Sequence, residues 1–127
     1  MKQEDALSKK IIACALEVHR ILGGPGLLES IYEEALGYEL AQQKVDVQRQ
    51  VSLPVHYKGI RLANPLRIDL LVGNLVIVES KATSQYHPVF ESQLLTYLRV
   101  SKLKLGLVIN FGEVLLKNGI HRVVNGL

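Results

Sequence analysis

One cysteine, no apolar run near the roughly 18 residues that cross a bilayer, no internal repeat and no low-complexity stretch mark this chain of 127 residues. Each absence excludes something. Cys14 alone can form no internal disulfide and no multi-cysteine zinc site, and its place on an apolar helical stripe makes it a core residue. His56, His87 and His121 are scattered without metal-ligand spacing. Gly23-Gly24-Pro25-Gly26 lacks the Lys-Ser/Thr that completes a phosphate-binding loop, and no Ser-His-Asp arrangement can be assembled from local motifs. The charged start, Met1-Lys2-Gln3-Glu4-Asp5, leads into no uninterrupted apolar core, so a signal peptide is not expected. With 48% hydrophobic and 21% charged residues, the expectation is one cytoplasmic domain over residues 1–127, with a two-layer core and no membrane partner.

The formal charge is only +3, but it is unevenly spread. Residues 1–43 hold four Lys/Arg and seven Asp/Glu, whereas residues 44–127 hold eleven and five. A basic remainder suits a polyanionic partner, and solvated lysines on strand edges account for it equally well.

Leu7, Ile11, Cys14, Ala15, Val18 and Leu22 share one helical face and predict an amphipathic helix over 4–22. The Gly-Gly-Pro-Gly break follows, then a second helix over about 27–43 with Leu28, Ile31, Tyr32, Ala35 and Leu36 inward. From Val45 the period becomes two, through Val47, Val51, Leu53, Val55 and Tyr57 to a turn at Lys58-Gly59. Two apolar runs, Arg67 to Val72 and Leu75 to Glu79, flank Gly73-Asn74 and predict covered central strands. His87-Pro88 opens a third helix; Lys104 to Phe111 is a further buried strand, and Val114 to Val124 predicts a closing hairpin around Asn118-Gly119. The order of elements predicts an α/β or α+β fold, with a mixed central sheet flanked by helices.

Charge does not belong inside such strands unless it is paired. Asp69 nevertheless interrupts Ile68-Asp69-Leu70-Leu71-Val72, and Glu79 and Lys81 follow Val76-Ile77-Val78. Alternation puts Glu79 and Lys81 on one face of their strand. Whether Asp69 joins them depends on the turn. A two-residue loop at Gly73-Asn74 would set Asp69 opposite Val78, with Glu79 on the other face. An odd loop is therefore predicted, Val72-Gly73-Asn74 with Asn74 left-handed, or a bulge. One register further brings the two carboxylates directly opposite. Two carboxylates held together call for a cation, and oxygen donors suit Mg²⁺ or Mn²⁺. A structural Asp–Lys or Glu–Lys pair at a sheet end is the other reading of the same residues.

With these residues in view, the chain resembles the PD-(D/E)XK nuclease superfamily, and within it the GxxExxY family. The resemblance rests on Gly26-Leu27-Leu28-Glu29-Ser30-Ile31-Tyr32, on Arg67 to Val72, on Val76 to Ala82 and on Gln93 to Leu98, in that order along the chain. It implies a restriction-endonuclease-like core. It further implies Glu29, Asp69 and Glu79 as metal ligands and Lys81 as the residue that activates water or stabilises charge. Gln93 and Tyr97 are similar to the Gln-x-x-x-Tyr motif of RecB-like branches, and their spacing of four sets them on one helical face. Ile68 stands where proline often precedes the aspartate, and Ser80 where a larger apolar residue would pack better.

The expected function is therefore metal-dependent phosphodiester hydrolysis of DNA or RNA. Glu29, Asp69, Glu79, Lys81 and Gln93 carry it, with His19 and Tyr97 accessory and Mg²⁺ or Mn²⁺ as cofactor. Arg67, Arg99 and Lys102 are expected on the nucleic-acid backbone. Glu33, Glu34 and Glu39 read as a solvated acidic face, Tyr32 as core, and His19, beside Ala15 and Leu22, also suits a satisfied, partly buried site. The alternative is an inactive nuclease-fold module that binds nucleic acid or a protein. A homodimer or partner protein suits either reading, because the chain leaves little for target choice.

Overall fold

Helix-forming segments with one apolar face, and strands apolar on both, have to stack in layers. The computed structural model describes residues 2–24, 26 and 28–127 and shows how they do so. Helices α1 (Gln3–Leu22) and α2 (Glu29–Gln42) lead into β1 (Val47–Leu53), a small hairpin β2 (His56–Tyr57) and β3 (Ile60–Arg61), then β4 (Leu66–Val72) and β5 (Val76–Lys81). Helix α3 (Val89–Ser101), β6 (Leu105–Asn110), a 3-10 turn (Leu116–Gly119) and β7 (Ile120–Val124) complete the chain. The main sheet is ordered β1-β4-β5-β6-β7, antiparallel except for the β5–β6 pair that α3 connects. Helices α1 and α2 cover one face over Leu70, Val72, Val76, Val78, Leu107 and Ile109; α3 covers the other over Ile68, Ile77 and Val108. This is the mixed α+β architecture predicted. Among the described residues no helix is long and apolar enough to cross a membrane.

Two expectations about the elements need correction. The alternating run through Tyr57 is not one strand. It ends at Leu53, because Pro54 has no N–H to donate to a ladder. The separate hairpin turns at Lys58 (φ +51) and Gly59 (φ +79). The closing hairpin at Asn118-Gly119 does not form either: β7 pairs directly with β6, and the 3-10 turn carries the connection. A Cβ at Gly119 would lie 2.4 Å from the Asn110 carbonyl oxygen, so this crossing packs against the end of β6. Pro25 of the predicted break and Leu27, the predicted start of α2, lie outside the described residues.

The β4–β5 turn has the predicted odd length, shifted by one residue. Gly73 (φ +59) and Asn74 (φ +55) are both left-handed, and the Leu75 amide donates to the Val72 carbonyl at 3.0 Å. Val72 nevertheless pairs with Val76, which leaves Leu75 as the extra residue. That register places Asp69 level with Glu79.

Candidate active site

The site lies where β4 and β5 part. Their ladder runs through Val72–Val76, Leu71–Ile77 and Leu70–Val78 and goes no further, although both strands continue. Past that point β5 stays with β6, pairing Glu79 with Val108, Ser80 with Ile109 and Lys81 with Asn110. The Ser80 amide instead donates to Asp69 Oδ2 at 3.0 Å, so a side-chain carboxylate takes the place of a strand carbonyl. Glu79 is 9% exposed and its Oε1 is buried with no hydrogen-bond partner.

Burial pushes the Glu79 carboxyl up to about 9 from its ordinary value of 4.5. A hydrogen bond with the Asp69 carboxyl and the Asp69 charge add to that rise; the Asp69 backbone amide and Lys81 oppose it. The metal-free fold thus keeps a proton that the unfolded chain gives up. The stabilisation is fully present below about pH 4.5 and is lost as pH climbs toward 9. With a chelator present, wild type is expected to lose up to about 1.4 kcal/mol per pH unit across this window relative to Glu79→Gln. Chemical denaturation of both proteins at pH 5, 7 and 9 checks this; parallel pH profiles would refute it.

Around this pair the predicted residues are placed unequally. The Lys81 ammonium lies over the Phe90 ring, 4.6 Å from its centroid, and its charge reaches both Glu79 and Glu29. Glu29, the first residue of α2, stands at the exposed mouth of the site. Desolvation pushes its carboxyl up, with Lys81 opposing and Asp69 and Glu33 adding to the rise. Tyr97, 9% exposed, is raised by burial and by the charges of Glu79 and Asp69, and Gln93 Nε2 donates to its hydroxyl at 3.1 Å. Gln93 itself is exposed and meets the site through Tyr97. His19 is engaged elsewhere, with Nε2 2.7 Å from the Glu113 carbonyl oxygen. Arg67, Arg99 and Lys102 are all exposed.

Among the described residues, no three His, Cys, Asp or Glu side chains are grouped so as to hold a metal ion. The expected triad of Glu29, Asp69 and Glu79 is therefore not a grouped set of three: Glu79 is buried, Asp69 is half-buried beside it and Glu29 is exposed. The helix sets Glu29 at its exposed first turn, whereas the other two sit between strands. The pair still fits a hard divalent cation. Its donors are oxygens, one of them orphaned, and magnesium commonly takes one or two carboxylates and completes its shell with water or phosphate.

Two groups were not legible as part of the site. Glu33 was expected in solvent, yet it is 4% exposed. Its Oε2 accepts from Arg49 Nη2 at 2.9 Å and its Oε1 from Gln50 Nε2 at 2.9 Å. Spacing of four from Glu29 was the one available signal. Asn110, buried beside Lys81 across the β5–β6 ladder, bonds to Thr83 and Gly112, and nothing in its strand pattern marks it. The Gly26…Tyr32 motif is partly a clamp: Tyr32 stacks on Phe111 at 4.7 Å and its hydroxyl donates to the Gly23 carbonyl at 2.7 Å. Gly24 closes the same junction, since a Cβ there would lie 2.1 Å from the Phe111 carbonyl oxygen. This joins the α1 end to the turn that leads into Glu29.

A model of the PD-(D/E)XK nuclease superfamily matches residues 5–123. No curated protein and no solved structure matches the chain. The matched span runs from α1 into β7, and the five-stranded mixed sheet flanked by helices is consistent with a restriction-endonuclease-like fold. The chain belongs to the PD-(D/E)XK nuclease superfamily.

Proposed function

We propose that the protein is a divalent-metal-dependent nuclease that hydrolyses phosphodiester bonds of DNA or RNA. The observation that carries this is the Asp69–Glu79 pair, with the buried, orphaned Glu79 oxygen, where β4 and β5 part and Lys81 follows two residues on. Asp69 and Glu79 would hold Mg²⁺ or Mn²⁺, and Glu29 would meet the ion or the substrate from the mouth. A divalent cation held there supplies Lewis-acid charge to the phosphoryl oxygens. Lys81 orients the attacking water and neutralises charge that grows on the phosphate in the transition state. The Gln93–Tyr97 pair borders the carboxylates, and the exposed Arg67, Arg99 and Lys102 hold the backbone without reading sequence. GxxExxY membership, RecB-like features, one domain over 1–127, a cytoplasmic location and a homodimer or partner protein for target choice belong to this reading.

The absence of a third grouped ligand among the described residues favours the second reading, a module that binds nucleic acid or a protein without cleaving. Labelled single- and double-stranded DNA and RNA, incubated with Mg²⁺ or Mn²⁺, separate the two. Wild type is expected to cleave at least one substrate, and Asp69→Ala is expected to abolish it. Equal activity in both would point to another site or a contaminant. Undiminished nucleic-acid binding with no cleavage of any substrate would establish the module.

A further inference from the structure

The chain between β1 and β4 adds nothing to the core. Leu53 and Leu66 pair directly, and Pro54 to Pro65 leave the main sheet between them. No residue of that stretch belongs to either side of the core, and residues 56–65 are exposed throughout. It is nevertheless ordered as a ribbon: His56 pairs with Arg61, Tyr57 pairs with Ile60, and the Leu62 amide donates to the Val55 carbonyl at 2.9 Å. Directly paired residues share a face, so His56 and Arg61 stand on one side and Tyr57 and Ile60 on the other. Tyr57, Ile60 and Leu62 are 59%, 66% and 44% exposed. A two-stranded ribbon is marginal in water, and apolar side chains shown together on one mark a surface that a partner covers.

The sign of the charge says which partner. Residues 47–68 carry four Lys/Arg and no Asp/Glu. Arg49 is held by Glu33, but among the described residues Lys58, Arg61 and Arg67 make no ion pair, and Lys58 only leans over the Tyr57 ring at 5.5 Å. Uncompensated cations beside exposed apolar side chains complement a polyanion that also offers apolar surface, as the edges of stacked bases do. The ribbon is also well placed. It leaves the sheet at the end where β4 and β5 part, and Asp69 lies three residues beyond Leu66, about 10 Å at the rise of a strand. We propose that the β2–β3 ribbon is a DNA-binding element that enters the major groove of a duplex. That groove admits a two-stranded ribbon in B-form DNA, whereas the deep, narrow groove of A-form RNA does not. Lys58 and Arg61 meet phosphates, and Tyr57 and Ile60 meet base edges and thymine methyls. That the duplex bound here is also the one cleaved rests on the function proposed above; binding by the ribbon does not.

The test uses the whole chain in chelator, so that binding is read without cleavage. Fluorescence anisotropy follows a labelled DNA duplex of about 20 base pairs across a range of salt concentrations. The double variant Lys58→Gln, Arg61→Gln is expected to weaken binding about tenfold or more and to flatten the slope of log affinity against log salt by about 1.8, or 0.9 for each phosphate released. Tyr57→Ser with Ile60→Ser should weaken binding about three- to tenfold and leave that slope unchanged, because apolar contacts release no counterions. All four side chains are exposed, so thermal melts should match wild type. Wild-type affinity and slope in the glutamine variant overturn the proposal, and so does duplex RNA of the same sequence bound as tightly as DNA. A concentration-dependent dimer that the serine variant abolishes, with DNA binding unchanged, overturns it in favour of a second copy of the chain. If the ribbon variants lose binding as expected but wild type cleaves nothing with Mg²⁺ or Mn²⁺, the nuclease reading falls and the ribbon stands. If wild type cleaves duplex DNA and the glutamine variant binds and cleaves equally well, the ribbon falls and the nuclease reading stands.

Discussion

Lys81→Met is expected to lower cleavage about 10²- to 10³-fold, the usual cost of removing one group aimed at charge that develops in the transition state. It should leave the rise in Tm on adding Mn²⁺ intact or enlarged. The reason is electrostatic: the ammonium works against protonation of Glu79 and Glu29, so it shares their field with any cation they hold, and its loss removes a competitor. Methionine is the informative replacement because its thioether can keep the contact over Phe90 that the lysine makes at 4.6 Å. Glu79→Gln behaves differently. It should lose cleavage and the Mn²⁺ shift together, because the orphaned Oε1 belongs to the pair itself. Single-turnover cleavage and thermal melts with and without Mn²⁺ provide both readouts. If Lys81→Met lost the Mn²⁺ shift while Glu79→Gln kept it, the roles assigned to these two residues would be reversed.

The largest stability loss is expected away from the carboxylates, in Asn110→Ala. The Asn110 side chain is 1% exposed and makes three bonds of 3.0 Å. Oδ1 accepts from the Thr83 and Gly112 amides, and Nδ2 donates to the Thr83 carbonyl. Alanine would strand three backbone groups and leave a polar cavity, at a cost of about 3–4 kcal/mol. Asn110→Asp is expected to destabilise as well: a carboxylate still accepts from the two amides but cannot donate to the carbonyl. Thr83 lies two residues beyond Lys81, so the same bonds anchor the chain as it leaves the site. Urea denaturation should show a lower midpoint for Asn110→Ala with an unchanged slope. A loss below about 1 kcal/mol would mean that this segment is held by other contacts.

Local patterns carried most of the architecture. Period 3.6 over α1 and the apolar runs that became β4 and β5 follow from which side chains must leave water, and the fold kept both. The odd turn was also legible, because two carboxylates on adjacent strands share a face only in certain registers. Boundaries that depend on connection geometry were not. Val114 to Val124 has strand-like composition, but β7 already completes its pairing with β6, and the segment before it only has to cross the end of the sheet. Glu33 was misjudged for a related reason. On its own helix it looks like one more solvated acid, and its burial comes from Arg49 and Gln50 on a strand sixteen and seventeen residues away.

By itself, then, the chain with a single cysteine determined the layers, the predicted central strands and the identity of the charges inside them: Asp69, Glu79 and Lys81. Hydrophobic periodicity is local, and a charge that breaks it is visible without coordinates. Only the tertiary structure decided that Asp69 and Glu79 stand together where β4 and β5 part, while Glu29 stays at the mouth and His19 is engaged by Glu113. Convergence of that kind depends on where the β4–β5 ladder stops and on β5 then staying with β6. Both are set by contacts between segments distant in sequence, which no one segment encodes.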